Sequence, residues 1–239
     1  VLFRSKVNTG SGFLGTAIGF ENLVTGAFGT SIGYSNTTSA TASTAIGIAN
    51  IASGNTAIAM GRQSTASGQT SLALGNVAQA TGADAIAIGT SVQATAQGAI
   101  AMGGGTTVGS TNQDATASKA TGTDSVAIGT STLASGASDV ALGRGASAAG
   151  NPTSASIAIG SGATAGSVPN GSSIAIGSGS SATSASGLGD SFALGTGTKA
   201  SGQDSIAFGA QTTASGTNTI GIGNNGSSVS GAGSTLIGV

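Results

Sequence analysis

Cysteine and histidine are both absent from this chain of 239 residues. Without Cys there are neither disulfides nor thiolate metal sites. Without His, imidazole ligands and the usual nucleophile–base pairs are missing as well. The chain is therefore expected to be no enzyme and to hold no cofactor. Charge is scarce: 5% of residues are charged and the net charge is -1. No basic face exists to hold phosphates, which argues against nucleic acid as a partner. No apolar run approaches bilayer-spanning length, so this segment is not expected to insert into a membrane. Aromatics are only 3%. A core of Ala and Gly buries little apolar area per residue, which would leave an ordinary globule marginal. A recognisable leader and an initiator Met are also lacking, and the chain stops in mid-pattern at Val239. The expectation is a piece of something longer, with any export signal outside it.

What the chain has in abundance is glycine, 44 residues of it, and one phrase repeated. A clear copy is Ala57-Ile58-Ala59-Met60-Gly61, followed by Ala66 and Gly68. It returns as Ser71-Leu72-Ala73-Leu74-Gly75 and as Ala85-Ile86-Ala87-Ile88-Gly89. The closing glycines from Gly19 to Gly103 recur every 14 residues. A fixed period of this kind is the mark of a repeat architecture. It also argues against low-complexity disorder, which has no need of an apolar pair placed once per period. Within a unit, Ile58 and Met60 point one way in an extended strand and Ala59 the other. Gly61 ends that strand at a bend, Ser64 to Ala66 form a second short strand, and Gly68 ends it. Fourteen residues are too few for a helical crossover. The expectation is all-β: parallel coils of about 14 residues stacked as a β-solenoid.

Stacking turns positions into columns. Two columns are aliphatic, beginning at Ile58 and at Met60, and both are expected to fill the coil interior. The third is nearly all alanine: Ala59, Ala73, Ala87, Ala101, Ala127, Ala141, Ala158, Ala175, Ala193 and Ala207. A solvated strand face would favour Thr, Lys or Glu, so alanine alone suggests close approach of another surface. These ten residues are expected to form a subunit interface in a symmetric oligomer. Residues 1–34 hold five of the seven aromatics and are expected to be N-terminal capping coils. Residues 35–239 are expected to be one continuous run of repeats, interrupted by an inserted loop at about 104–117. That loop, with Thr106, Thr107, Val108, Thr111, Asn112, Gln113 and Asp114, is the candidate protruding recognition element.

Chemistry-bearing motifs are few. Six Asp and Glu21 are scattered along the chain, and no loop brings two acids close enough for a calcium site. They are expected to be solvated turn residues. Gly143-Arg144-Gly145-Ala146-Ser147-Ala148 fits a dinucleotide fingerprint, but nothing places it at the start of a helix in a βαβ unit.

The copies Ser125-Val126-Ala127-Ile128-Gly129, Ser156-Ile157-Ala158-Ile159-Gly160, Ser173-Ile174-Ala175-Ile176-Gly177 and Ser205-Ile206-Ala207-Phe208-Gly209 resemble the head repeats of YadA-like trimeric autotransporter adhesins. The resemblance covers nearly the whole chain. It implies a left-handed parallel β-roll in which three chains pack side by side as a homotrimer. It further implies an adhesin on a bacterial surface, held in the outer membrane through a region outside this chain. The partners implied are host matrix proteins such as collagen, other host surface molecules, or sister cells. No neck, heptad stalk or membrane anchor of the family's type is found in these residues.

Two other functions fit the periodicity: a structural spacer or phage-type fibre segment, and an ice-binding solenoid. The last would require an unbroken Thr ladder, whereas Thr65, Thr81, Thr95 and Thr121 form a broken one. Because residues 104–114 add to an already complete period, their deletion is expected to leave the β circular-dichroism spectrum intact. Loss of that signal would show the segment to be part of the fold.

Overall fold

The computed structural model describes residues 8–105, 116–151, 154–166, 171–184 and 189–238. The described residues form strands and turns, with no helix among them. The chain divides into two compact units, residues 1–119 and 120–239. Both are built from the same coil, a long strand followed by a short one. In the first unit Ile58–Arg62 is followed by Thr65–Ala66, and Leu72–Asn76 by Gln79–Ala80. In the second, Ser173–Ile176 is followed by Ser181–Thr183, and Ser191–Leu194 by Lys199–Ala200. Thirty strands make about fifteen coils, and every ladder between coils is parallel among the described strands. The fold is a parallel β-solenoid.

Register follows the repeat. Leu72 pairs with Ile58, Ala73 with Ala59, Leu74 with Met60 and Gly75 with Gly61. On the other side of the coil Gln79 pairs with Thr65 and Ala80 with Ala66. Residues 8–34 keep the same register, with Ile18 on Ile32 and Gly19 on Gly33. Their distinction is side-chain content. Phe13 meets Phe28 edge-on, and Phe20 stacks on Tyr34 with ring centres 5.4 Å apart. The insertions lengthen the later coils without breaking the ladder: Val140 still pairs with Ile157, and Ile157 with Ile174. The loop assigned to Thr106, Thr107, Val108, Thr111, Asn112, Gln113 and Asp114 lies outside the described residues.

Most coils carry glycine at two corners, although Ala40 and Ala96 stand at the second corner of their own coils. A Cβ on Gly61 would lie 2.0 Å from the carbonyl oxygen of Gly75, and φ there is +117°. A Cβ on Gly68 would lie 1.7 Å from the carbonyl oxygen of Gly82. At both corners the backbone of the next coil occupies the space a side chain would need. Between these corners the turns also use left-handed residues, such as Thr56 at φ 56° and Gln63 at φ 54°. For an ordinary L-residue that conformation costs roughly 1–2 kcal/mol. In the second unit Gly145, Gly162, Gly179 and Gly197 take one of these left-handed positions at φ of 64–67°. The G-x-G words of the sequence are therefore turn chemistry.

The orientation of the long strand is the reverse of the expectation. Ala59, Ala73, Ala87, Ala101, Ala127, Ala141, Ala158, Ala175, Ala193 and Ala207 are all at 0% exposure within a single chain. They face the alanines of the short strands, Ala66, Ala80, Ala94, Ala134, Ala148 and Ala200, which are equally buried. The alanine column is the inside of the coil and has no side-chain surface left to offer a partner. The aliphatic columns point outward: Ile58 is 38% exposed, Leu74 39% and Ile128 39%. The cause is space. A coil this short brings its two strands so close that, among the described residues, inward positions are almost all Ala, Ser, Thr, Val, Asn or Asp, with Gly221 and Leu236 continuing the column in the last coils. Forcing larger side chains into such a space would cost about 1–3 kcal/mol at each site.

Gly68→Ala is expected to destabilise the chain by more than the ~1 kcal/mol typical of a point substitution, which lowers the thermal midpoint by at least about 2–4 °C. The exposed neighbour change Ser67→Ala should stay within about 0.5 kcal/mol. Circular-dichroism melts of the two variants make the comparison.

Candidate functional surfaces

Three features stand out: a buried polar spine in the first unit, a buried carboxylate in the second, and an apolar outer face on both. The spine is Asn22, Asn36 and Asn50, each at or near zero exposure, with Asn8 at its start. Asn36 donates through Nδ2 to Asn22 Oδ1 at 3.0 Å, to the Ile32 carbonyl at 3.0 Å and to the Gly47 carbonyl at 2.8 Å. Its own Oδ1 accepts the backbone N–H and Nδ2 of Asn50. Each amide thus ties its coil to the one before and the one after. At the top of the spine Ser64 N–H donates to Asn50 Oδ1 at 2.9 Å. The 14-residue spacing of Asn8, Asn22, Asn36 and Asn50 was visible in the sequence, but the expectations above made no use of it.

The carboxylate is Asp139, fully buried. Its Oδ2 accepts the backbone N–H of Gly136 at 2.6 Å and of Gly150 at 2.8 Å. Its Oδ1 accepts the Ser156 N–H at 2.7 Å. A solvated turn residue was expected here. Asp139 instead occupies the interior column that holds Ser125 and Ser156 in neighbouring coils. There, bonds to three N–H donors compensate the buried charge. They also pin the two ends of the three-residue excess between Gly143 and Gly160. Asp84, Asp124, Asp190 and Asp204 are exposed at turns, as expected. Asp84 accepts the Thr70 hydroxyl. Among the described residues, no three acidic side chains gather where they could hold a metal ion.

The outer face of the long strands carries paired aliphatic columns in each unit. In the first unit these are Ile58, Leu72, Ile86 and Ile100 beside Met60, Leu74, Ile88 and Met102. In the second, Phe192 and Ile206 lie beside Leu194 and Phe208, the last 48% exposed. Full burial of such a side chain is worth about 1.5–3 kcal/mol, so half-burial leaves on the order of 1 kcal/mol per residue unrealised. Contiguous exposed apolar surface of this extent marks an interaction site. The outer face of the short strands is more mixed: Thr37, Thr65, Gln79, Gln93, Ser147, Thr164 and Thr213 share it with Leu23, Ile51, Leu133, Lys119 and Lys199. The residues of the apparent dinucleotide fingerprint belong to the coil itself: Ala146 and Ala148 are interior, and Gly145 is in the left-handed turn.

The architecture is a parallel β-solenoid with small interior residues and an apolar outer face. The YadA head domain repeat matches residues 39–64, 52–78, 66–91, 80–106, 116–132, 120–146, 185–212 and 200–225, together more than half of the chain. The chain belongs to this family, which is one of cell-surface adhesins. One of the unmatched stretches, 147–184, falls where the intervals between closing glycines lengthen. Comparison with curated proteins gives no match.

Asn36→Ala is expected to destabilise the chain by about 3 kcal/mol, since it strips partners from buried amide and carbonyl groups on both sides. The exposed Asn55→Ala should cost far less; urea unfolding of the two measures the difference. Ala127→Arg places a charge inside the coil and is expected to abolish the β spectrum, not merely to separate subunits.

Proposed function

We propose that this chain is the head segment of a trimeric cell-surface adhesin, attaching to host extracellular matrix or host cells by extended contact. The observation that carries the reading is the double aliphatic column on the outer face of the long strands. A lone chain would present it to water. Three chains packed side by side, wound left-handed as the family resemblance implies, bury it against one another. The alanine column has no part in that contact. In this arrangement the short-strand faces and turns are left to meet a partner. With one copy per chain and many fibres per cell, shallow contacts add by avidity. Matrix proteins such as collagen are the partner class, and anchoring in the outer membrane falls to a region beyond these residues. The scarcity of charge on the outer faces suits contact through many neutral hydroxyl and amide groups rather than through a few ion pairs.

Ile128→Arg and Leu74→Arg are expected to convert a trimer into monomers while leaving the β spectrum in place. Multi-angle light scattering with circular dichroism reads both quantities; a trimer that survives both substitutions would refute the interface. For adhesion, arrays of collagens, fibronectin, laminin and glycans are expected to give saturable binding that weakens when the protein is made monomeric. Absence of binding throughout would favour a spacer role.

A further inference from the structure

The coils with long strands Thr16–Phe20, Thr30–Tyr34 and Thr44–Ile48 place their large apolar side chains differently from the coils that follow. From Ile58 on, the first unit's long strands present an aliphatic pair, as at Ile58 and Met60, Leu72 and Leu74 or Ile86 and Ile88. In the earlier three the first member is Thr16, Thr30 or Thr44, and only Ile18, Ile32 and Ile46 remain. The missing bulk reappears at the two ends of the strand. At the far end, after the glycine corner, Phe20, Tyr34 and Ile48 form one column. Phe20 and Tyr34 stack with planes 3° apart, and Tyr34 and Ile48 are about half exposed. At the near end the turns carry Phe13 and Leu14, then Phe28, which are 69%, 68% and 53% exposed. These three leave roughly 350 Å² of apolar surface in water, a size that marks an interaction site. Leu14 and Phe28 also take left-handed φ of 54° and 59°, which bulky residues disfavour. Neither local conformation nor burial within one chain accounts for them.

The two patches run out at the same height. On the near side Phe13-Leu14 and Ala27-Phe28 give way to Thr41-Ala42, then to Asn55-Thr56 and Gln69-Thr70. On the far side Ile48 gives way to Arg62, Asn76 and Thr90. The five-residue strand between the patches spans roughly 16 Å, so within a chain they cannot touch. We infer that they meet between chains: the turn patch of one copy packs on the Phe20, Tyr34 and Ile48 column of its neighbour. A closed ring is built from such heterologous contacts, in which one edge of each subunit faces the opposite edge of the next. Three chains packed by their long-strand faces bring those edges together. The contact is a clasp on the coils whose long-strand face has lost one of its two aliphatic columns. A host protein seated on one edge would explain one patch. It would not explain why two patches on opposite edges stop together. The turns of these coils then belong to the assembly, and the later turns stay free for a partner. The inference rests on the side-by-side reading above and adds which edges join, and where.

Tyr34 is the only tyrosine and the chain has no tryptophan, so tyrosine fluorescence reports on the clasp directly. The test measures acrylamide quenching of Tyr34 in the full chain, with light scattering to give the number of subunits. It compares the unaltered chain, the turn variant Phe13→Asn/Leu14→Thr/Phe28→Thr, and both in the Leu74→Arg background. The new residues are those of the equivalent turn at Asn55-Thr56, so the coil is expected to fold, which circular dichroism checks. In the assembly Tyr34 is expected to be protected from the quencher. The turn variant is expected to abolish that protection, although its substitutions lie at the other end of the strand. In the monomeric background Tyr34 should be quenched freely, with or without them. Should the turn variant separate the subunits, the pair Phe28→Cys/Tyr34→Cys decides, since the chain has no other thiol. A short bis-maleimide is expected to link copies when both thiols are present and not with either alone. No link from the pair, or a link from one thiol, would overturn the clasp. So would protection that survives the turn variant, or quenching as free in the trimer as in the monomer; both leave the assembly standing. An equal effect of the turn variant in the monomer would place the link within one chain and overturn it too. Protection gained only on adding collagen or fibronectin would give the patch to a matrix protein instead. A chain that is monomeric throughout would remove both the clasp and the three-chain reading.

Discussion

The narrowness of the coil governs everything else in this structure. Two strands joined by tight turns leave room for methyl and hydroxymethyl groups between them and little more. Ala59 and Ala66 meet there, and so do their equivalents in coil after coil. The same closeness explains the glycine corners, where the next coil's carbonyl oxygen stands where a Cβ would be. A chain so built gains little from its interior, roughly 0.8 kcal/mol per buried methyl. Its larger apolar side chains have only the outside to go to. The aliphatic columns that one chain cannot bury are the surface on which the proposed assembly rests.

Polar groups are handled by the same logic of stacking. In the first unit the amides of Asn22, Asn36 and Asn50 bond along the direction in which the coils repeat, adding a side-chain ladder to the backbone ladders. In the second unit Ser and Thr hydroxyls bond to nearby carbonyls instead, as Ser205 does to Gly202 and Thr212 to Gly223. Asp139 stands where the coil lengthens and gathers the N–H groups of Gly150 and Ser156 from the longer turn together with that of Gly136 from its own. Each device answers the same demand, that backbone groups at a bend find a partner when water cannot reach them.

Much of this was legible in the sequence. The 14-residue period fixed the coil, and the words Ile58 to Gly61 and Ser64 to Gly68 fixed both strands and both corners. The direction of the long strand was not legible from alternation, because a period of two says that Ile58 and Ala59 face opposite ways and not which way is in. The habit of placing large aliphatics inside chose the wrong face. The alanine column did signal close approach of another surface, as expected, but that surface is the short strand of the same coil. The size of the coil held the missing information: fourteen residues wound through two strands and two turns cannot enclose two isoleucines. The Asn spine was written at the same period and could have been found by asking which polar residues recur with it. Asp139 could not, since its burial depends on a turn geometry that no local motif announces.

Because the chain has no cysteine, a single introduced thiol reports cleanly on which face is hidden and by what. The most direct measurement is the rate of thiol labelling in Ala73→Cys and Leu74→Cys, each in the assembled protein and in a background made monomeric. Ser31, in the same column as Ala73, shows that a heavier atom fits inside. The account predicts that the thiol at position 73 stays protected in both backgrounds. It predicts that the thiol at position 74 is protected in the assembly and labelled rapidly in the monomer. Rapid labelling at position 73 in folded monomer, with position 74 protected, would contradict it.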